Sequence, residues 1–194
     1  MHHAQQCSST IDPAWSVIHR ATNPGFHPTA CKQLAQARGS APTDTFAAMS
    51  PQELAEKVVS RMYDHDPFSI WLGIERVVVE PGRCVLRMKV RGEMLNGFAI
   101  AHGGITYSLA DSCLAFASNS HGIQSVSVET SISHTKPVKE GDALTATSEE
   151  KSLTRGIGIY YITITNQRGD QVALFKGTVY RTGKPWFPDE QDTN

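Results

Sequence analysis

A chain of 194 residues, 40% hydrophobic and 19% charged, suits one domain of ordinary size with an extension. With a formal net charge of −1 and its 18 Lys and Arg scattered, it offers neither a large nucleic-acid footprint nor a polybasic membrane patch, so a small-molecule partner is expected. The segment Met1–Gln6 has no apolar core and no run approaches the ~20 apolar residues of a membrane span, which gives the expectation of a cytoplasmic protein.

Four cysteines, Cys7, Cys31, Cys84 and Cys113, form no close pair, so neither a zinc knuckle nor a redox C-x-x-C is available. Cys84 and Cys113 fall in apolar stretches and read as core filler. No metal and no cofactor is expected.

Residues 1–48 carry Pro13, Pro24, Pro28 and Pro42 with weak apolar periodicity, and read as a poorly ordered extension with one short helix near Cys31–Arg38. At Met49 the character changes. Ser50-Pro51-Gln52-Glu53 offers an N-cap, a proline at the first helical position and a glutamate placed for a capping box. Leu54, Val58, Val59 and Met62 then form the apolar stripe of an amphipathic helix over Pro51–Tyr63. So well formed a domain start directly after Met49 gives the expectation that the upstream part is a mis-called start or an added extension.

Asp66-Pro67 opens a short turn that carries Phe68, Ile70 and Trp71 and closes at Gly73. Ile74–Val79 and Cys84–Val90 read as a hairpin about Pro81-Gly82, the second strand alternating Cys84, Leu86, Met88 and Val90 with Val85, Arg87 and Lys89. Gly92–Ala101 is an irregular loop holding Asn96-Gly97.

The stretch from His102 to Gly122 predicts a helix of about five turns, stopped by Gly122 in a left-handed cap. Between Gly103 and Ser120 its only formal charge is Asp111, and a helix apolar or small on every side belongs inside a protein. At ~100° per residue, Gly104, Ser108, Ala115 and Ser118 share a side with Asp111, whereas Ile105, Leu109, Leu114 and Phe116 lie elsewhere. That small face lets a backbone or a ligand come close. A carboxylate buried without partners costs several kcal/mol and few donors stand on this helix, so a functional Asp111 is expected rather than a solvated or core one.

Further strands are expected over Val126–Ile132, Ala143–Leu153, Gly158–Thr165 and Val172–Tyr180, the last two joined by the Asn166–Asp170 turn. One long buried helix with strands before and after it gives an α+β class, an antiparallel sheet wrapped around one long central helix. The expected division is extension 1–48, domain 49–183 and C-terminal tail 184–194.

Leu95-Asn96-Gly97, His102-Gly103-Gly104, Leu109-Ala110-Asp111 and Asn119-Ser120-His121-Gly122 occur in that order. Lys136-Pro137, Gly141-Asp142-Ala143-Leu144, Thr145-Ala146 and Val172-Ala173-Leu174-Phe175-Lys176-Gly177 follow. The ordered set, over about residues 50–182, resembles the signature of hotdog-fold acyl-CoA thioesterases and is similar in particular to the phenylacetate-degradation thioesterase subfamily. The resemblance implies a hotdog fold and hydrolysis of an acyl-CoA, with an aryl or hydroxyphenylacetyl acyl group, to free acid and CoA. It also implies a homodimer that often pairs into a dimer of dimers. At the position matching Asp111 the family has a nucleophile or general base; the N–H matching Gly103 polarises the carbonyl, and the amide matching Asn96 positions the thioester or water.

Geometry adds a conclusion of its own. Gly103 and Asp111 lie ~12 Å apart along one helix axis, whereas an oxyanion donor and a nucleophile both stand ~3 Å from one reacting carbonyl. Two copies with antiparallel central helices would bring Gly103 of one against Asp111 of the other, giving two sites per dimer.

The remaining candidates carry two readings each. His102, with Gly104 beside it, either caps the helix and touches the ligand or is a structural loop histidine; Asn96-Gly97 is also a common turn pair. Lys136, Arg155 and Arg181 either meet CoA phosphates or are surface cations. Phe98, Tyr107 and Phe116 line an acyl pocket or fill the core. Two other functions stand beside hydrolysis: a non-catalytic acyl-CoA binding or sensing protein on the same fold, and an acyl-CoA hydratase, which His102 fits poorly.

Overall fold

The computed structural model describes residues 49–188. The expected extension, with Cys7, Cys31 and the helix near Cys31–Arg38, lies outside them. Helix α1 (Pro51–Asp64) begins as its sequence dictates: the Ser50 hydroxyl accepts the Glu53 N–H and the Glu53 carboxylate accepts the Ser50 N–H. Ala55, Val58 and Val59 are its buried face.

The Asp66–Gly73 stretch is not a turn but a short helix, α2 (Pro67–Leu72). Asp66 caps it by accepting from the N–H groups of Phe68 and Ser69, and Gly73 closes it at φ +72. Six residues are too few for a helical period to show in sequence, and the cap and closing glycine belong equally to a turn.

Six strands follow: β1 (Glu75–Glu80), β2 (Arg83–Lys89), β3 (Ile123–His134), β4 (Ala143–Leu153), β5 (Ile157–Thr165) and β6 (Gln171–Pro185). Helix α3 (Gly103–Asn119) lies between β2 and β3 in sequence. The sheet order is β1-β2-β4-β5-β6-β3, antiparallel throughout. β3 therefore pairs with β6 alone and forms one edge.

α3 ends at Asn119 rather than Gly122; Ser120 stays right-handed, and Gly122 at φ +81 turns the chain into β3. Ile105, Leu109, Cys113, Leu114 and Phe116 bury against Leu86, Met88, Leu144, Ile162 and Ile164 of the sheet. Cys84 and Cys113 are buried free thiols of that core. Beneath the helix, a methyl on Gly177 of β6 would run into Leu114, so the bare backbone there sets how closely α3 rides on the sheet.

β6 runs through Pro185, past the boundary expected at residue 183. Trp186 then returns to the helix end: its backbone N–H reaches the Gly122 carbonyl at 2.9 Å and its indole N–H reaches Asn119 Oδ1 at 2.8 Å. Residues 184–187 thus complete the fold rather than trail from it.

Candidate active site

Asp111 stands mid-way along α3 on the stripe the sheet does not cover, with Gly104, Ser108, Ser112 and Ala115 open or half-open around it. Ser118, expected on this side, is buried and returns its hydroxyl to the Ala115 carbonyl. Among the described residues no side chain or backbone group hydrogen-bonds the Asp111 carboxylate, and partial burial pushes its pKa up. Ser112 beside it is held by Ser69 of α2 at 2.9 Å, and Ser69 in turn by Asp66 at 2.5 Å.

At the start of α3, His102 is the N-cap and its Nδ1 accepts the Gly104 N–H at 2.9 Å. Its capping role is therefore observed. Gly103, at the first helical position, has an N–H that no described residue takes up, one of the free donors every helix start presents. Asn96 makes the turn its sequence suggests, Oδ1 accepting the Phe98 N–H at 2.9 Å, while the amide NH2 has no described partner. Turn and functional readings coexist in this side chain.

A cavity of about 320 Å³ gathers Asn96, Gly103 and Lys136 together with Thr106, His134 and Pro137. Thr106 and His134 are additions the sequence reading missed. Their hydroxyl and Nε2 lie 2.8 Å apart, and the His134 ring stands 3.2 Å from where a Gly103 side chain would begin. His134 comes from the far end of β3, so no local motif joins it to Gly103. Lys136 reaches Asp170 at 2.7 Å, and with Asn166 and Arg168 holds the Asp170 carboxyl down to about 2.

Arg155 is not part of this cluster. It sits in the β4–β5 turn, at the end of the sheet where Ile157 pairs with Tyr180, whereas the cavity lies toward the end where His134 pairs with Ala173. Arg181 is spent on the Thr154 carbonyl. Phe116 is core, edge-on to Tyr63; Tyr107 packs edge-on to Phe175 with its hydroxyl on Thr130; Phe98 is 85% exposed at its loop tip. Among the described residues no group of His, Cys, Asp and Glu is arranged to hold a metal ion, and no helix is long and apolar enough to cross a membrane.

The family model described as thioesterase superfamily matches residues 98–173, the span that contains α3 and most of the sheet. Over 122 residues the chain is 39% identical to the acyl-coenzyme A thioesterase PaaI of Escherichia coli, covering 63% of this chain and 87% of that protein. The chain belongs to the thioesterase superfamily. It is a thioester hydrolase with the hotdog fold: the solved E. coli PaaI, from the phenylacetic acid degradation operon, superposes with a TM-score of 0.68 at 37% identity. That alignment covers 70% of this chain and 99% of the E. coli chain. A putative esterase of Archaeoglobus fulgidus is 35% identical over 70% of this chain and 88% of its own. A Streptococcus mutans protein solved with acetyl CoA matches with a TM-score of 0.56 at 30% identity, over 58% of this chain and 90% of that one.

Proposed function

We propose that this superfamily member hydrolyses acyl-CoA thioesters, with aryl-acyl groups among its substrates, at two sites shared across a homodimer. The observation that carries the reading is a half-buried Asp111 and a Gly103 N–H, both without a partner among the described residues, that one helix holds too far apart to serve one another. A second subunit related by a twofold axis supplies what each half lacks.

β3 supports that assembly. It is a twelve-residue edge strand with one free side, and its Val126 and Val128 are more than half exposed. An edge this long, with two exposed valines, invites strand pairing with a copy of itself. Pairing there lays the uncovered stripes of the two α3 helices against one another.

In the shared site the Gly103 N–H, aided by the partial positive charge of the helix start, stabilises the oxyanion, and Asn96 orients the thioester or the water through its spare amide hydrogens. The Asp111 carboxylate of the second subunit either attacks the carbonyl, giving an anhydride that water then hydrolyses, or takes a proton from the water that attacks; the C–S bond breaks, and CoA leaves as the thiolate and takes a proton from water. Lys136 at the cavity rim meets a CoA phosphate. The acetyl-CoA bound by the S. mutans relative and the printed activity of the E. coli relative agree with this substrate class.

Incubation with a panel of acyl-CoAs and a thiol reagent tests the reading. CoA release by the wild type, lost in Asp111→Ala, is the expected result; equal release by both proteins contradicts it. Saturable CoA binding without turnover would make the chain an acyl-CoA sensor instead.

A further inference from the structure

The cavity at the start of α3 holds two side chains that the chemistry above leaves unused, Thr106 and His134. The atoms of the His134 ring nearest to where a Gly103 side chain would begin are Cε1 at 3.2 Å, Nε2 at 3.5 Å and Nδ1 at 3.9 Å. The imidazole therefore turns toward Gly103 the edge that carries both its nitrogens. At the start of a helix the N–H groups and the Cα–Cβ bonds both lean toward the N-terminus. A ring standing off the missing Gly103 side chain is thus beside the place at which the Gly103 N–H is aimed. His134 is carried there by the sheet and not by a loop, as the last residue of β3, paired with Ala173 of β6.

The two nitrogens of that edge are not equivalent. Nε2 lies 2.8 Å from the Thr106 hydroxyl, whereas Nδ1 has no hydrogen-bond partner among the described residues. The same hydroxyl is 3.0 Å from the Gly103 carbonyl, and it has one hydrogen to give. The carbonyl belongs to the helical ladder, which has an N–H of its own for it; the Nε2 of a neutral ring has no such second donor. Giving the hydrogen to Nε2 leaves the proton of the neutral ring on Nδ1, a tautomer assigned from the hydrogen-bond network. In the imidazolium the hydroxyl turns to the carbonyl and accepts from Nε2, and Nδ1 keeps its hydrogen. Nδ1 is a donor in both charge states.

We propose that His134 is the second donor of the oxyanion hole: its Nδ1–H and the Gly103 N–H of the same subunit converge on the thioester oxygen. Thr106 is the positioning residue that holds the ring and its tautomer. The proposal rests on the thioesterase reading above and adds a residue to its chemistry. Such a donor acts on charge that develops only in the transition state, so its loss falls on kcat rather than on KM.

Steady-state kinetics on the full chain, with the acyl-CoA it hydrolyses fastest and with each variant checked for folding by its thermal melt, tests the assignment. His134→Phe keeps a flat ring without an N–H, and is expected to lower kcat by about 100-fold with KM within about twofold of wild type. His134→Gln brings an amide N–H to the same region and recovers about tenfold of that loss. Thr106→Val lowers kcat by less than His134→Phe does, at unchanged KM.

A folded His134→Phe within about threefold of the wild-type kcat, or one whose loss appears in KM instead, overturns the assignment. So does a folded His134→Gln as slow as His134→Phe, because a ring needed only for its shape is replaced better by phenylalanine than by glutamine. If His134→Phe does not fold, His134→Leu is read in its place. A wild type that hydrolyses no thioester overturns the function and this donor with it, whereas an active wild type with an unaffected His134→Phe overturns the donor alone.

Discussion

Gly103 and Asp111 belong to one unbroken helix and are separated by two turns, yet each is left without the partner its chemistry requires. Among the described residues the Gly103 N–H is a donor without an acceptor, and the Asp111 carboxylate is an acceptor without a donor in a place where burial penalises its charge. In the proposed assembly a single subunit carries two unmatched halves, and β3, the edge strand of the sheet, is where a second copy would bring them together.

Burial gives Asp111 a pH signature with a definite sign. Its folded-state pKa is raised, so the stability it contributes is present below the ordinary aspartate range and lost as pH rises through the raised value. Near neutral pH the charged carboxylate therefore costs stability, and Asp111→Asn should melt at a higher temperature than wild type, the difference closing in acid. Activity runs the other way: it needs the carboxylate, so the acid limb of kcat/KM lies above the ordinary aspartate range and Asp111→Asn is inactive. Thermal melts and rate profiles across pH check both halves.

Lys136 is tied to Asp170 on the rim of the Gly103 cavity, where the proposed function has its ammonium meet a CoA phosphate. Lys136→Ala should raise KM for acyl-CoA by about threefold to tenfold, less at high salt, because the contact is solvent-exposed and screened. A smaller rise is expected with an acyl-cysteamine thioester, which has no phosphate to lose. Steady-state kinetics on the two substrates make the comparison.

Gly177 fixes the seat of the catalytic helix. A methyl there collides with the buried Leu114, and overpacking of this kind costs about 1–3 kcal/mol. Gly177→Ala should lower the free energy of unfolding by that amount, read as a lower denaturation midpoint. Adding Leu114→Val, which vacates the space, should recover part of it, so the two substitutions are non-additive in chemical denaturation.

Much of this was legible in the chain itself, and the exceptions have physical reasons. The Ser50 capping box, the hairpin about Gly82 and the long helix with its single acid are local signals, written in adjacent residues. α2 was hidden because six residues hold too little period. The approach of Thr106 to His134 was hidden because β3 crosses to it from a distance of 28 residues in sequence. Trp186 has the look of a tail in sequence because nothing adjacent announces Asn119 as its partner. The Asn96, Gly103 and Lys136 cluster followed from family-like motifs, whereas Arg155 shares a motif-bearing region but lies toward the other end of the sheet.

The shared site is tested most directly by complementation between two inactive subunits. Gly103→Pro deletes the oxyanion donor at a position whose backbone accepts proline, since proline suits the first helical position and His102 already has the extended backbone a following proline requires; the His134 ring, 3.2 Å from the new Cβ, must give by a few tenths of an ångström. Alone it should lose about 100-fold or more in kcat, and Asp111→Asn should be inactive. Unfolded together and refolded in equal amounts, the two should form hybrid dimers with one intact site of two, restoring about a quarter of wild-type activity. Recovery near that fraction is the predicted result; a mixture as inactive as its components, with hybrid dimers present, contradicts the account.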